Sequence, residues 1–155
     1  MNTYVVAQQA NPPTPFTGWN SLLGAIRTKN SVPPDIREIL ICRVALLNSA
    51  WFEWKAHFPI LQACAGFTEE MALVVKELHP KDRGVLSEKQ WAVLRYADAM
   101  TRDVEIKEEV FGEVKKSFNE REVVEITATV AAYNMVSRFL VALDVGECNG
   151  KDVEL

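Results

Sequence analysis

The stretch NEREVVEITATVAAYNMVSRFLVALDVG, residues 119–146, decides what kind of protein this is. From Ile126 to Leu143 it is apolar almost throughout, the composition of a membrane span. It is nevertheless short for the hydrocarbon core, and Asn134 and Arg138 interrupt it. A helix that is apolar on nearly every side but carries one or two polar groups belongs inside a large soluble core or at an oligomer interface. Its start is marked by Asn119-Glu120-Arg121-Glu122, a capping box in which the Asn and Glu side chains each satisfy an orphan backbone donor. Gly146 is placed to close it.

The same punctuation recurs upstream. Ser87-Glu88-Lys89-Gln90 is a second capping box, predicting a helix to about Thr101, and an amphipathic stretch covers Lys107 to Ser117. Thr68-Glu69-Glu70 opens a short helix to about Leu78, followed by a loop over 79–84. Asn30-Ser31-Val32-Pro33-Pro34 stops a first helix, Gly18 to Thr28, and starts another, Asp35 to Leu47. A further helix is predicted from Ala50 to Gly66, with Pro59 expected to kink or shorten it. No segment alternates with period two for long enough to need a sheet, so the chain reads as all-α with about six or seven helices. Pro12, Pro13 and Pro15 make residues 1–17 an extended arm, 18–146 a single helical domain and 147–155 a tail.

With 155 residues, 48% hydrophobic and 25% charged, the chain has the size and balance of one soluble globular domain, which excludes disordered and fibrous classes. A net charge of -4 provides no field for nucleic-acid phosphate or anionic lipid, so neither partner is expected. Cys42, Cys64 and Cys148 are an odd number with no knuckle or dithiol spacing, and no basic start leads into an apolar run, so a reduced, cytoplasmic setting is expected. His57 and His79 are too few for a usual metal site, and no Gly-rich phosphate loop or serine elbow is present. The expectation is chemistry without metal or organic cofactor. Two largely apolar helices, Asp35 to Leu47 and Asn119 to Leu143, offer more hydrophobic face than one small domain encloses, which predicts a homo-oligomer.

Two clusters could carry chemistry. In Asp35 to Leu47 the charges after Asp35 and Arg37 are Glu38 and Arg43, five positions apart and so about 140° around the helix; each must find a partner elsewhere or line a wet cavity. They read either as structural ion pairs or as site residues. In Trp51-Phe52-Glu53-Trp54-Lys55-Ala56-His57 the Glu53 and His57 side chains share a face at a spacing of four. A carboxylate beside an imidazole stabilises the protonated ring and makes an acid–base couple, while tryptophans exclude water; the alternative is a surface pair beside packed aromatics. Tyr133 and Asn134 supply polar handles in the long apolar helix, with Arg138 one turn later.

Several blocks in order resemble a known family. They are Arg37-Glu38-Ile39-Leu40-Ile41-Cys42-Arg43, Phe52-Glu53-Trp54 with His57, Ala65-Gly66-Phe67-Thr68, Leu86-Ser87-Glu88 leading to Tyr96-Ala97-Asp98, and Arg121-Glu122 leading to Tyr133-Asn134-Met135-Val136-Ser137-Arg138-Phe139. Together, from about Trp19 to Val145, they resemble the carboxymuconolactone decarboxylase family, whose superfamily includes the AhpD-like alkylhydroperoxidases. The resemblance implies an AhpD-like helical fold and a homo-oligomer, commonly a trimer or hexamer.

The family's peroxidase branch has a Glu on one helix, a C-x-x-C pair opening the next, and a His four residues after the second cysteine. By that resemblance the Glu falls on Glu38, the His on His57, and the thiols on Ala50 and Glu53, so dithiol peroxidase chemistry is not expected. What the resemblance leaves is an acid–base set of His57, Glu53 and Glu38 as catalytic residues. It implies a cofactor-independent decarboxylase of small cyclic carboxylates or lactones. Arg43 or Arg138 would orient the carboxylate, Trp51, Trp54 and Tyr133 with Asn134 would line the pocket, and His57 would protonate the enolate. An isomerase or cyclase of an aromatic or polyketide pathway, or an inactive oligomeric binding protein, are the competing readings. Buried ionisable groups favour an enzyme, because a scaffold has no reason to keep them in an apolar pocket.

Overall fold

The computed structural model describes residues 15–151. Among them are seven α-helices, one 3-10 turn and no strand: α1 (Pro15–Thr28), α2 (Pro34–Leu47), α3 (Trp51–Gln62), α4 (Glu69–Lys76), α5 (Glu88–Arg102), α6 (Glu108–Ser117), α7 (Glu120–Ala142) and the turn Val145–Glu147. The expected all-α architecture is what the chain adopts. Both capping boxes form: Ser87 Oγ accepts from the Gln90 backbone, Asn119 Oδ1 from that of Glu122, and the Gln90 and Glu122 side chains accept in return.

Three boundaries differ from the sequence reading. α1 opens at Pro15, so the end of the expected arm is helical; a first-turn proline lacks only a donor that would have no partner there. Residues 1–14 of that arm lie outside the described residues. α3 stops at Gln62 rather than Gly66: it runs three residues past Pro59 before a tighter Cys64 N–H to Leu61 carbonyl bond ends it, and Gly66 (φ +79°) serves the following turn. α7 ends at Ala142, and Gly146 (φ +73°) sits in the 3-10 turn, where an added Cβ would lie 2.6 Å from the Phe52 ring. Cys148, two residues further on, is buried.

α2 is the centre of the molecule. It packs against α3, α5 and α7, and every residue from Glu38 to Leu46 is buried. Its own chain buries every apolar residue of this helix from Ile36 to Leu46, so the apolar face of α2 is covered without a second copy. α7 differs: Ile126, Val130, Tyr133, Val136 and Leu140 face the core, while Val124, Ala128, Ala131 and Met135 form an exposed apolar stripe.

The two charges of α2 face different partners, as their angular separation requires. Arg43 is completely buried, and its guanidinium donates to both carboxylate oxygens of Asp98 on α5 at 2.8 and 2.6 Å. It also donates to the Val75 and Glu77 carbonyls at the end of α4, both at 2.7 Å. One side chain thus ties three helices together with charge-assisted bonds. Removing one partner of such a pair leaves a buried charge uncompensated. Asp98→Ala is therefore expected to destabilise the fold by about 3 to 5 kcal/mol in urea unfolding; a loss below about 1 kcal/mol would make the pair dispensable.

Candidate active site

α2 and α3 form a helical hairpin, which brings the first half of α2 against the second half of α3. Glu38 (2% exposed) and His57 (9% exposed) meet there, with Glu38 Oε2 2.7 Å from His57 Nδ1. The other carboxylate oxygen accepts from Arg37 Nε at 3.2 Å. An ionised carboxylate can only accept, so Nδ1 carries the hydrogen and Nε2 faces the other way. There it meets the Tyr133 hydroxyl of α7 at 3.3 Å, with the two rings edge to face. Burial raises the Tyr133 pKa above the ordinary phenol value, keeping the hydroxyl a donor. The Arg27 guanidinium at the end of α1 lies beside that hydroxyl and pulls in the opposite direction, less strongly than burial. Three buried groups on three helices thus form one chain, Glu38–His57–Tyr133, with Arg27 at its far end.

Glu53 lies one turn before His57 and is 3% exposed, yet neither of its carboxyl oxygens has a hydrogen-bond partner. The expected Glu53–His57 hydrogen bond is not formed. The α2–α3 packing presents Glu38 to the imidazole instead, so Glu38 is the carboxylate that completes the couple. Burial without a partner raises the Glu53 pKa to about 9. Nearby Cys42, also on α2, is buried, and burial together with the Glu38 and Glu53 charges holds its thiol well above the usual range. Among the described residues no group of three or more His, Cys, Asp or Glu side chains is placed to hold a metal ion, and no helix is long and apolar enough to cross a membrane.

Solved structures share this arrangement of helices. A protein of unknown function from Agrobacterium tumefaciens, provisionally named as the antioxidant defence protein AhpD, superposes with a TM-score of 0.73 at 21% identity over 92% of this chain and 94% of that one. An uncharacterized peroxidase-related protein from a Silicibacter species gives 0.72 at 19% identity over 87% of this chain and 72% of that one. The chain has the AhpD-like fold. No protein-family model and no curated protein matches it.

Within the AhpD-like fold, the positions where the resemblance puts the two thiols are Ala50, at the start of α3, and the unpartnered Glu53. The three cysteines are free and lie elsewhere. The other expected site residues divide. Tyr133 joins His57, and Trp54 is buried on the same helix, stacked on Phe58 at 4.5 Å; Trp51 is half-buried at the start of α3. Arg43 is taken up by Asp98 and does not meet His57. Asn134 is engaged with Asn48, Thr101 and Arg138, and Arg138 is exposed, so this polar cluster bonds within itself rather than to the imidazole. The cation that does approach the chain, Arg27, was missed by sequence reasoning. At the end of α1 it looks like any basic residue favoured by a helix C-terminus. An open groove of about 830 Å³ between the 78–83 loop, α5 and the start of α6 is lined by Asp98 but by none of Arg27, Glu38, Glu53, His57 or Tyr133.

The state of Glu53 has a consequence for stability. The unfolded chain releases this proton near pH 4.5 and the folded one near 9, so the folded form binds more protons between those values and stability falls as pH rises through the window. At pH 7 the contribution is about 3 kcal/mol against the fold. Glu53→Gln is expected to be more stable than the parent at pH 8 and nearly equal at pH 4.5, measured by denaturant unfolding. Parallel stability–pH curves for the two proteins would refute the assignment.

Proposed function

We propose that the protein is a cofactor-independent acid–base enzyme acting on a small anionic substrate, with decarboxylation of a cyclic carboxylate or lactone as the reaction. The observation that carries this reading is the buried Glu38–His57–Tyr133 chain ending beside Arg27. Groups buried in this way cost stability and suit proton transfer in a site that excludes water. The fold similarity to peroxidase-related proteins is compatible with an enzyme. The absence of a C-x-x-C pair argues against the dithiol chemistry that the resemblance associates with the family's peroxidase branch.

In the proposed reaction the bond to the substrate carboxylate breaks, carbon dioxide leaves, and the electron pair passes into a conjugated carbonyl as an enolate. Arg27, rather than Arg43 or Arg138, is the cation positioned to orient the anion. With His57 protonated, Nε2–H faces the phenol oxygen; the Tyr133 hydroxyl delivers its proton to the enolate carbon as Nε2–H passes one to the phenol oxygen, which leaves a neutral imidazole for solvent to reprotonate, and Glu38 favours that protonated ring. An isomerase or cyclase would use the same chain without losing carbon dioxide. The free thiols support a reducing, cytoplasmic setting.

Lactone carboxylates are the first substrates to assay. His57→Ala is expected to lower turnover by about two to four orders of magnitude with assembly intact, and Glu38→Gln to lower it less, since an amide cannot stabilise the imidazolium. Thiol alkylation should leave turnover unchanged. Full activity of folded His57→Ala on an accepted substrate would defeat the mechanism.

We also propose self-association, as a trimer or hexamer, through the exposed stripe of α7, where Val124 is 67% and Met135 40% exposed. Sedimentation is expected to give an oligomer at micromolar concentration and a monomer for the double variant Val124→Asp, Met135→Asp. A monomeric parent protein would exclude it.

A further inference from the structure

Glu53 breaks a rule that the other buried charged residues of this molecule obey. Arg43 has four hydrogen bonds, and Glu38 uses one oxygen on Arg37 and the other on His57. Glu53 is as buried as either and has no partner for either oxygen. A carboxyl group left alone in an apolar surrounding costs free energy that a leucine or glutamine would avoid. Nothing in the packing of α3 requires it, because Trp54, Phe58 and Leu61 supply the buried apolar contacts of that helix.

The groups around Glu53 define what it can bind. Cys42 from α2 and Tyr133 from α7 each feel the Glu53 carboxyl, Tyr133 has Arg27 on its other side, and both Cys42 and Tyr133 also feel Glu38, which with His57, one turn along from Glu53 on α3, forms the neighbouring pair. No cation pairs with Glu53 itself. A carboxyl group in this position at neutral pH keeps its proton, and a protonated carboxyl is a hydrogen-bond donor. Its strongest available acceptor is an anionic oxygen, whereas an ionised Glu53 would repel the same ligand. The spacing of four along α3 puts such a ligand on the face that also carries His57.

We propose that Glu53 is the hydrogen-bond donor that receives a carboxylate oxygen of a small monoanionic ligand, holding it beside His57. The assignment rests on reading this pocket as an acid–base site for an anion, and it adds the group that recognises the anion and the protonation state in which it does so. Glu53 takes part as the acid O–H and keeps its proton in the bound state. Binding therefore requires the neutral side chain, and a ligand with a single carboxylate suits a site already holding the Glu38 charge.

The test is equilibrium binding of 2-furoate, a small cyclic carboxylate, followed by tryptophan fluorescence and calorimetry without turnover. The parent protein is expected to bind at millimolar concentration at pH 7, and the affinity to fall about tenfold by pH 10 as Glu53 ionises. Glu53→Gln keeps a donor and cannot ionise, so it should bind within a few-fold at pH 7 and stay flat to pH 10. Glu53→Ala should lose about tenfold or more at pH 7. Absence of binding by the folded parent, a flat parent profile, or the parent's pH dependence surviving in Glu53→Gln would each overturn the assignment. The binding test is independent of the turnover assay: a His57→Ala protein that binds 2-furoate and also turns over substrate normally would defeat the acid–base mechanism and leave the Glu53 assignment standing.

Discussion

Helix α2 is packed against three other helices, and its two buried charges, Glu38 and Arg43, each draw a partner from another element. This constraint organises both ends of the molecule. Toward one end Arg43 draws in Asp98 from α5 and the carbonyls that close α4, which fixes those helices against the core. Toward the other, Glu38 requires a partner from α3, and His57 provides it. The scaffold and the candidate site are two answers to one electrostatic requirement, separated by the 140° that five residues turn around a helix.

The same requirement makes Glu53 stand out. A fold that satisfies a fully buried guanidinium with four hydrogen bonds has the means to satisfy a carboxyl, or to place an apolar residue there. An unpartnered acid one turn from an imidazole costs stability that a paired or apolar residue at the same position would not. The neighbouring Glu38–His57–Tyr133 chain has the reverse character, because all its members are paired and their orientation is fixed before any ligand arrives. Those three groups are preorganised, whereas Glu53 has no partner within the chain.

Structures with this arrangement of helices include one provisionally named for antioxidant defence and one named as peroxidase-related, and the present chain pairs Glu38 with His57 while carrying Ala50 and Glu53 where the resemblance expects thiols. A thiol and a carboxylic acid are both weak acids, and burial raises the pKa of either. They differ in that sulfur exchanges electrons and a carboxyl exchanges only protons. Fold likeness at 19–21% identity therefore specifies the helical frame and leaves the chemistry to the side chains.

The sequence by itself determined the helices. Capping boxes at Ser87 and Asn119, prolines at the start of α2 and the apolar periodicity act through contacts within a few residues, so local chemistry fixes them before any tertiary structure exists. It also determined that Glu38 and Arg43 need different partners, since that follows from helical geometry alone. The ends of α3 and α7 were less legible, because Gly66 and Gly146 mark left-handed positions wherever they occur, in a turn beyond the helix as well as at its cap. Only the tertiary structure decided who pairs with whom. Glu38 meets His57 across 19 residues, Arg43 meets Asp98 across 55, and His57 meets Tyr133 across 76. The spacing of four between Glu53 and His57 pointed to a bond that helix packing then gave to Glu38. Sequence spacing states which side chains can touch, whereas the interhelical packing, driven by burial of apolar surface far from these groups, sets which of them do.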